Sequence, residues 1–202
     1  MNQIIKNTII LFVITLVAGI CLGTVHDITL DPIAQAQEAA ATKTYQEVYP
    51  DAASFDEPQE LADAVTAAAD SISEWGFGKA TINDAKEALD ASGNQIGYLI
   101  TSTSAESYGG NVQIAVGISN EGELTGIGFL SISDTPGLGM RAKEPDFKDQ
   151  FIGKKAENLE VTKTGASADN QIEAISGATI TSKAVTNATD AAIYFVANCL
   201  AQ

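Results

Sequence analysis

The spacing of hydrophobic positions changes character several times along this chain. Thr8 to Val25 is an apolar run of 18 positions without a charge, within the roughly 17–25 residues a helix needs to cross a bilayer core. Gln35 to Asp56 is Ala-rich and polar and reads as a helical or irregular stem. After Pro58, at a helix start behind Asp56 and Glu57, Leu61, Val65, Ala68 and Ile72 recur at helical spacing. The period then shortens. Gln95–Ser104, Asn111–Ser119 and Glu123–Ser133 alternate or run apolar in strand-length pieces. Ser92-Gly93-Asn94, Tyr108-Gly109-Gly110 and Asn120-Glu121-Gly122 separate them as turns. Such short connections imply antiparallel neighbours. A loop from Asp134 to Pro145 follows, then one or two helical turns from Phe147 to Gly153. From Ser182 to Leu200 the helical period returns, with Val185, Ala188, Ala192, Phe195, Val196 and Cys199 on one face and Lys183, Asn187 and Asp190 elsewhere.

The pattern predicts an α+β protein: one N-terminal transmembrane helix, then one domain with an antiparallel sheet and a C-terminal helix. The expected divisions are an anchor over residues 1–25, a stem over 26–56 and a domain over 57–202. Lys6 precedes the apolar run, while Asp27, Asp31 and Glu38 follow it. The positive-inside bias therefore predicts a single-pass protein of the cell membrane with a cytoplasmic N-terminus and an outward-facing domain. Two rival readings are weaker. A signal-peptide cleavage site at Ala34-Gln35-Ala36 lies about ten residues too far downstream. A lipid on Cys21 would follow the bulky Ile20, where a small residue is expected.

Composition narrows the chemistry. With 26 Asp and Glu against 11 Lys and Arg, the net charge is −15, which argues against a nucleic-acid partner. Two cysteines, Cys21 and Cys199, and one histidine, His26, cannot supply the roughly four ligands of an iron–sulfur cluster or structural zinc. Cys199 reads as a small core residue. Redox chemistry in this chain would therefore need an organic cofactor.

Two segments stand out. In Ile175-Ser176-Gly177-Ala178-Thr179-Ile180-Thr181-Ser182, Gly177 frees the backbone at a strand-to-helix junction. Hydroxyls and amides then cluster where a helix begins, a place suited to phosphate. Alternatively, Thr181 or Ser182 simply caps the helix. In Asp134-Thr135-Pro136-Gly137-Leu138-Gly139, Pro136-Gly137 is a turn and Gly139 permits close backbone approach. Leu138 offers an apolar side chain from a polar loop, suited to one face of a planar ring, though an ordinary surface turn fits as well.

Together, behind a membrane helix, these segments resemble the RnfG family, the flavin-binding G subunits of the Rnf complex, an ion-translocating ferredoxin:NAD oxidoreductase. They are also similar to the C subunits of the sodium-translocating NADH:quinone reductase. Those families carry a D-x-x-[ST]-G-A-T motif whose final threonine is esterified to the phosphate of flavin mononucleotide (FMN), and an E-T-P-G-L-G loop. Glu173 stands where the first motif has aspartate, and Asp134 stands where the second has glutamate. Gly97-Tyr98, Tyr108-Gly109-Gly110, Lys143, Phe147, Gln150, Phe151, Gly153 and Lys154 extend the likeness.

The resemblance implies covalent FMN on Thr179, with Ser176, Gly177 and Ala178 completing the motif and Glu173 read by a flavin transferase that draws on FAD. It implies ring contacts from Thr135 and Leu138, phosphate contacts from Thr181 and Ser182, and further cofactor contacts from Gly137, Gly139 and Tyr108. Lys183 is a candidate donor to either group. No general base is required. The other Rnf subunits, the flavin transferase and the membrane are the implied partners of an electron carrier. The chain length of 202 residues suits RnfG better than the quinone reductase's C subunit, which is typically longer. A membrane-anchored extracellular binding module without redox function is the alternative from another class.

Overall fold

The computed structural model describes residues 2–69, 71–155 and 158–200. Contacts divide the chain into two units, residues 1–42 and residues 43–202. From Gln3 on, the first unit is part of α1 (Gln3–Val48), whose 46 residues continue through Pro32 without interruption. By length and composition α1 can cross a membrane. Its apolar side chains from Ile4 to Ile33 are exposed. Of the residues read from the sequence as stem, those up to Val48 continue this helix.

The second unit is built on a five-stranded antiparallel sheet in chain order. Its strands are β1 (Ser54–Asp56), β2 (Ala80–Leu89), β3 (Gln95–Ser107), β4 (Gly110–Ser119) and β5 (Leu124–Ile132). Around it lie α2 (Gln59–Ala68), the short α3 (Pro145–Lys148) and α4 (Thr179–Phe195). A parallel pair, β6 (Glu160–Thr162) and β7 (Gln171–Glu173), leads into α4. The antiparallel sheet and C-terminal helix are those expected from the hydrophobic pattern.

Alternation explains the main core. Ile82, Ile100, Val112, Ile114, Val116 and Ile118 of the sheet pack with Val185, Ala188, Ala192 and Phe195 of α4. The opposite face is covered too. Val48 at the end of α1 packs with Leu99 and Ala115. A Cβ on Gly117 would lie 2.9 Å from Val48 Cγ1, and one on Gly128 would lie 2.6 Å from Val48 Cγ2. These glycines let the chain lie close on the sheet. The segment 43–56 thus packs with the domain, its β1 pairing with β2 from Ser54↔Leu89 to Asp56↔Glu87.

α4 begins at Thr179 rather than at the Ser182 read from the sequence, and one residue read as polar-facing is buried. Asp190, placed with the polar residues, is buried and accepts the Leu159 amide at 2.9 Å. Cys199, half-buried, packs against the core as expected.

Candidate functional site

Three segments meet just past the end of β5, at Asp134. Its buried carboxylate accepts hydrogen bonds from the Ser107 hydroxyl at 2.7 Å, the Gly109 amide at 2.5 Å and the Thr181 hydroxyl. One side chain thereby joins the β3–β4 turn, the 134–139 loop and the first turn of α4. Sequence reasoning treated Asp134 only as the first letter of a loop motif, because its partners are remote in sequence.

The loop itself is a tight turn. The Leu138 and Met140 amides donate to the Thr135 carbonyl at 3.1 and 3.3 Å. Gly137 sits at φ +75°, which costs glycine nothing because it has no Cβ. Thr135, Gly137 and Leu138 are exposed. Gly139 is buried, and a Cβ there would lie 2.6 Å from both Asp134 Cβ and Thr181 Oγ1. The close approach read from the sequence is therefore to the chain's own loop–helix junction.

The S-G-A-T run lies beside this loop. Gly177, at φ +79°, is so placed that a Cβ would come 3.1 Å from Leu138 Cδ2. Ser176 and Gly177 are exposed, Ala178 is buried and Thr179 half-buried. Ala178 occupies the N-cap of α4 and no side chain caps the helix, which leaves its first amides without a side-chain acceptor.

The hydroxyls of α4 divide sharply. Thr181 is committed to Asp134. Ser182 Oγ accepts the Ile175 amide at 3.0 Å and donates to the Ala178 carbonyl at 3.0 Å. Thr186 and Thr189 donate to the carbonyls of Ser182 and Val185. Among the described residues, Thr179 is the only serine or threonine on this helix whose hydroxyl makes no hydrogen bond. Neither Thr181 nor Ser182 caps the helix, and both buried hydroxyls are engaged within the chain.

Glu173 is exposed at the end of β7. Its backbone is clamped by Gln150, whose Oε1 accepts the Glu173 amide at 2.7 Å while Nε2 donates to the Glu173 carbonyl at 3.3 Å. A pocket of about 270 Å³ opens beside it, lined by Arg141, Phe147, Gln150, Glu173 and Ser176 among others. Lys183 is exposed, as is Tyr108 at the β3–β4 turn, 74% exposed. Ile180, 55% exposed beside Thr179, was missed by the sequence reading. Its signal was an apolar residue outside the buried stripe of α4.

Away from this cluster, burial pushes the Asp190 carboxyl up to about 7, against the lowering effect of the Leu159 amide.

Residues 107–194 match the FMN-binding domain family, and residues 1–48 match the RnfG N-terminal region. The chain is 36% identical over 203 residues to the G subunit of the Na(+)-translocating ferredoxin:NAD(+) oxidoreductase complex of Acetobacterium woodii, spanning 96% of this chain and 92% of that protein. It is 29% identical over 194 residues to the G subunit of the proton-translocating ferredoxin:NAD(+) oxidoreductase complex of Clostridium ljungdahlii, spanning 95% and 91%. The crystal structure of the C subunit of the Na(+)-translocating NADH-quinone reductase from Parabacteroides distasonis aligns with a TM-score of 0.49 at 24% identity, covering 58% of this chain and 63% of that one.

The class is an FMN-binding-type α+β domain behind a long apolar helix, and the first family match contains the whole junction around Asp134. The chain belongs to the RnfG family, the G subunits of ion-translocating oxidoreductase complexes.

Proposed function

We propose that this chain is the electron-carrying G subunit of a membrane-bound ion-translocating ferredoxin:NAD oxidoreductase, with FMN held as a phosphodiester on Thr179. The observation that carries this reading is the uncommitted Thr179 hydroxyl, alone among the serine and threonine hydroxyls of α4, at a helix start without a side-chain cap. A phosphate on that oxygen would meet unpaired amides and the positive end of the helix dipole. Exposed Leu138, beside Gly177, offers apolar cover for a ring. Thr135, Gly137 and Tyr108 border the same region, and Lys183 supplies a nearby cation.

Attachment is a group transfer. The Thr179 oxygen attacks the FMN-side phosphorus of FAD, the pyrophosphate bond breaks and AMP leaves with the electron pair, while the threonine proton is released. A flavin transferase performs this step, reading Glu173 with Ser176, Gly177 and Ala178. The bound flavin supplies the electron carriage, and the protein fixes its position and surroundings. Covalency suits a domain on the outer face of the membrane, where no cofactor pool replaces a lost flavin. α1 tethers that domain with its N-terminus in the cytoplasm, and the other Rnf subunits are its partners. These readings draw support from the family, the apolar helix and the charge order around it.

The test is co-expression of the full chain with a flavin transferase, followed by a denaturing gel under ultraviolet light. The wild-type band fluoresces. Thr179→Val, nearly isosteric, is dark while retaining the wild-type far-ultraviolet circular dichroism. A fluorescent Thr179→Val band would place the flavin elsewhere, and a dark wild-type band would refute covalent attachment.

A further inference from the structure

We propose that Asp134 is the positioning residue of this site, holding Thr179 and the Leu138 loop at the spacing flavin attachment needs without touching the flavin. The inference rests on the FMN reading above.

The carboxylate is 6% exposed and its two oxygens divide the work. Oδ1 takes the Gly109 amide, while Oδ2 takes the Ser107 and Thr181 hydroxyls. All three segments therefore point donors at one centre. The space around it is fitted as well. A Cβ on Gly109 would lie 2.6 Å from Asp134 Oδ1, and one on Gly139 would lie 2.6 Å from Asp134 Cβ. Two glycines thus form the slot in which the carboxylate sits.

What this arrangement presents is apolar. Beyond α1, the exposed large hydrophobic residues among those described are Tyr108, Leu138, Ile152, Ile180 and Tyr194. Three of them adjoin residues that Asp134 grips or packs against: Tyr108 lies between Ser107 and Gly109, Leu138 precedes Gly139, and Ile180 precedes Thr181. Exposed apolar side chains fixed by a buried polar hub form a frame awaiting an apolar occupant. Thr179 sits at its edge, one residue before Ile180.

The test compares Asp134→Ala, Asp134→Asn and Ser102→Ala in the full chain. Ser102→Ala removes a buried bond from β3 to the Ala188 carbonyl, 2.8 Å long and apart from the junction. Amide exchange is read over 107–110 and 179–182 in detergent without flavin, and covalent flavin yield is read after co-expression with the transferase. In Asp134→Ala both segments exchange at least about tenfold faster and flavin yield falls at least about tenfold, since misplacement by an ångström costs up to about a hundredfold. Asp134→Asn, which keeps the Oδ1 acceptor, lies between Asp134→Ala and wild type in both measurements. Ser102→Ala lowers the melting temperature yet leaves junction exchange and flavin yield unchanged. Normal yield in Asp134→Ala, beside a dark Thr179→Val, would overturn this inference and leave the FMN reading standing. A matching loss of yield in Ser102→Ala would reduce Asp134 to general stability. A dark wild-type chain would overturn both.

Discussion

Asp190 makes this domain less stable as pH rises from about 4 to about 7, against the common tendency of paired carboxylates. Its folded-state carboxyl is raised from 3.8 to about 7, chiefly by burial. Between those values the folded chain keeps a proton the unfolded chain has released, so stability falls as pH rises. The stabilising contribution is fully present below 3.8 and is lost as pH passes through about 7. Taking 7 minus 3.8 as about three units, at about 1.36 kcal/mol each, the full effect is about 4 kcal/mol. The assay is urea denaturation of the detergent-solubilised full chain near pH 4.5 and near pH 8, for wild type and Asp190→Asn. Asparagine can still accept the Leu159 amide but cannot ionise. Wild type should lose about 3 kcal/mol more than the variant between the two conditions. Equal losses in the two proteins would refute a buried, proton-holding Asp190.

Other substitutions probe the junction and its surroundings. Gly139→Ala places a methyl 2.6 Å from Asp134 Cβ and Thr181 Oγ1, and overpacking of this kind costs about 1–3 kcal/mol; a wild-type melting temperature would refute the tight loop–helix contact. Gln150→Ala releases both backbone groups of Glu173, at about 1 kcal/mol in denaturation, and lowers flavin yield by loosening the residue the transferase reads. Unchanged yield would show that the clamp serves stability alone. Tyr108→Ala, at a position 74% exposed, changes stability by less than about 0.5 kcal/mol but makes attached flavin easier to quench with iodide. Unchanged quenching would remove Tyr108 from the ring environment.

Much of the sheet was legible because β3, β4 and β5 alternate and are separated by glycine-bearing turns. β2 was not, since its buried positions are mainly alanines, Ala80, Ala85 and Ala88, set among charged residues. Ala80 and Ala85 pack in the core with α4 and Ala88 packs with Tyr49 and Ala52, but such small residues give little hydrophobic signal. The segment 43–56 was read as stem because its place depends on Gly117 and Gly128 opening the sheet to Val48, a tertiary fact. At the site, local chain chemistry displayed Thr179, Gly177 and the Leu138 loop. It could not show which hydroxyls were already taken. Thr181 and Ser182 looked as available as Thr179 until their partners Asp134, Ile175 and Ala178 were in place. Asp190 misled for a similar reason, since its partner amide at Leu159 comes from a segment far back in the chain.

The most direct test of covalent FMN on Thr179 is the intact mass of the full chain purified after co-expression with a flavin transferase, with fragmentation to locate any addition. The predicted result is a gain of one FMN less one water, found on the fragment containing Thr179 and absent from Thr179→Val. An unmodified wild-type mass, or the same addition on another residue, would contradict it.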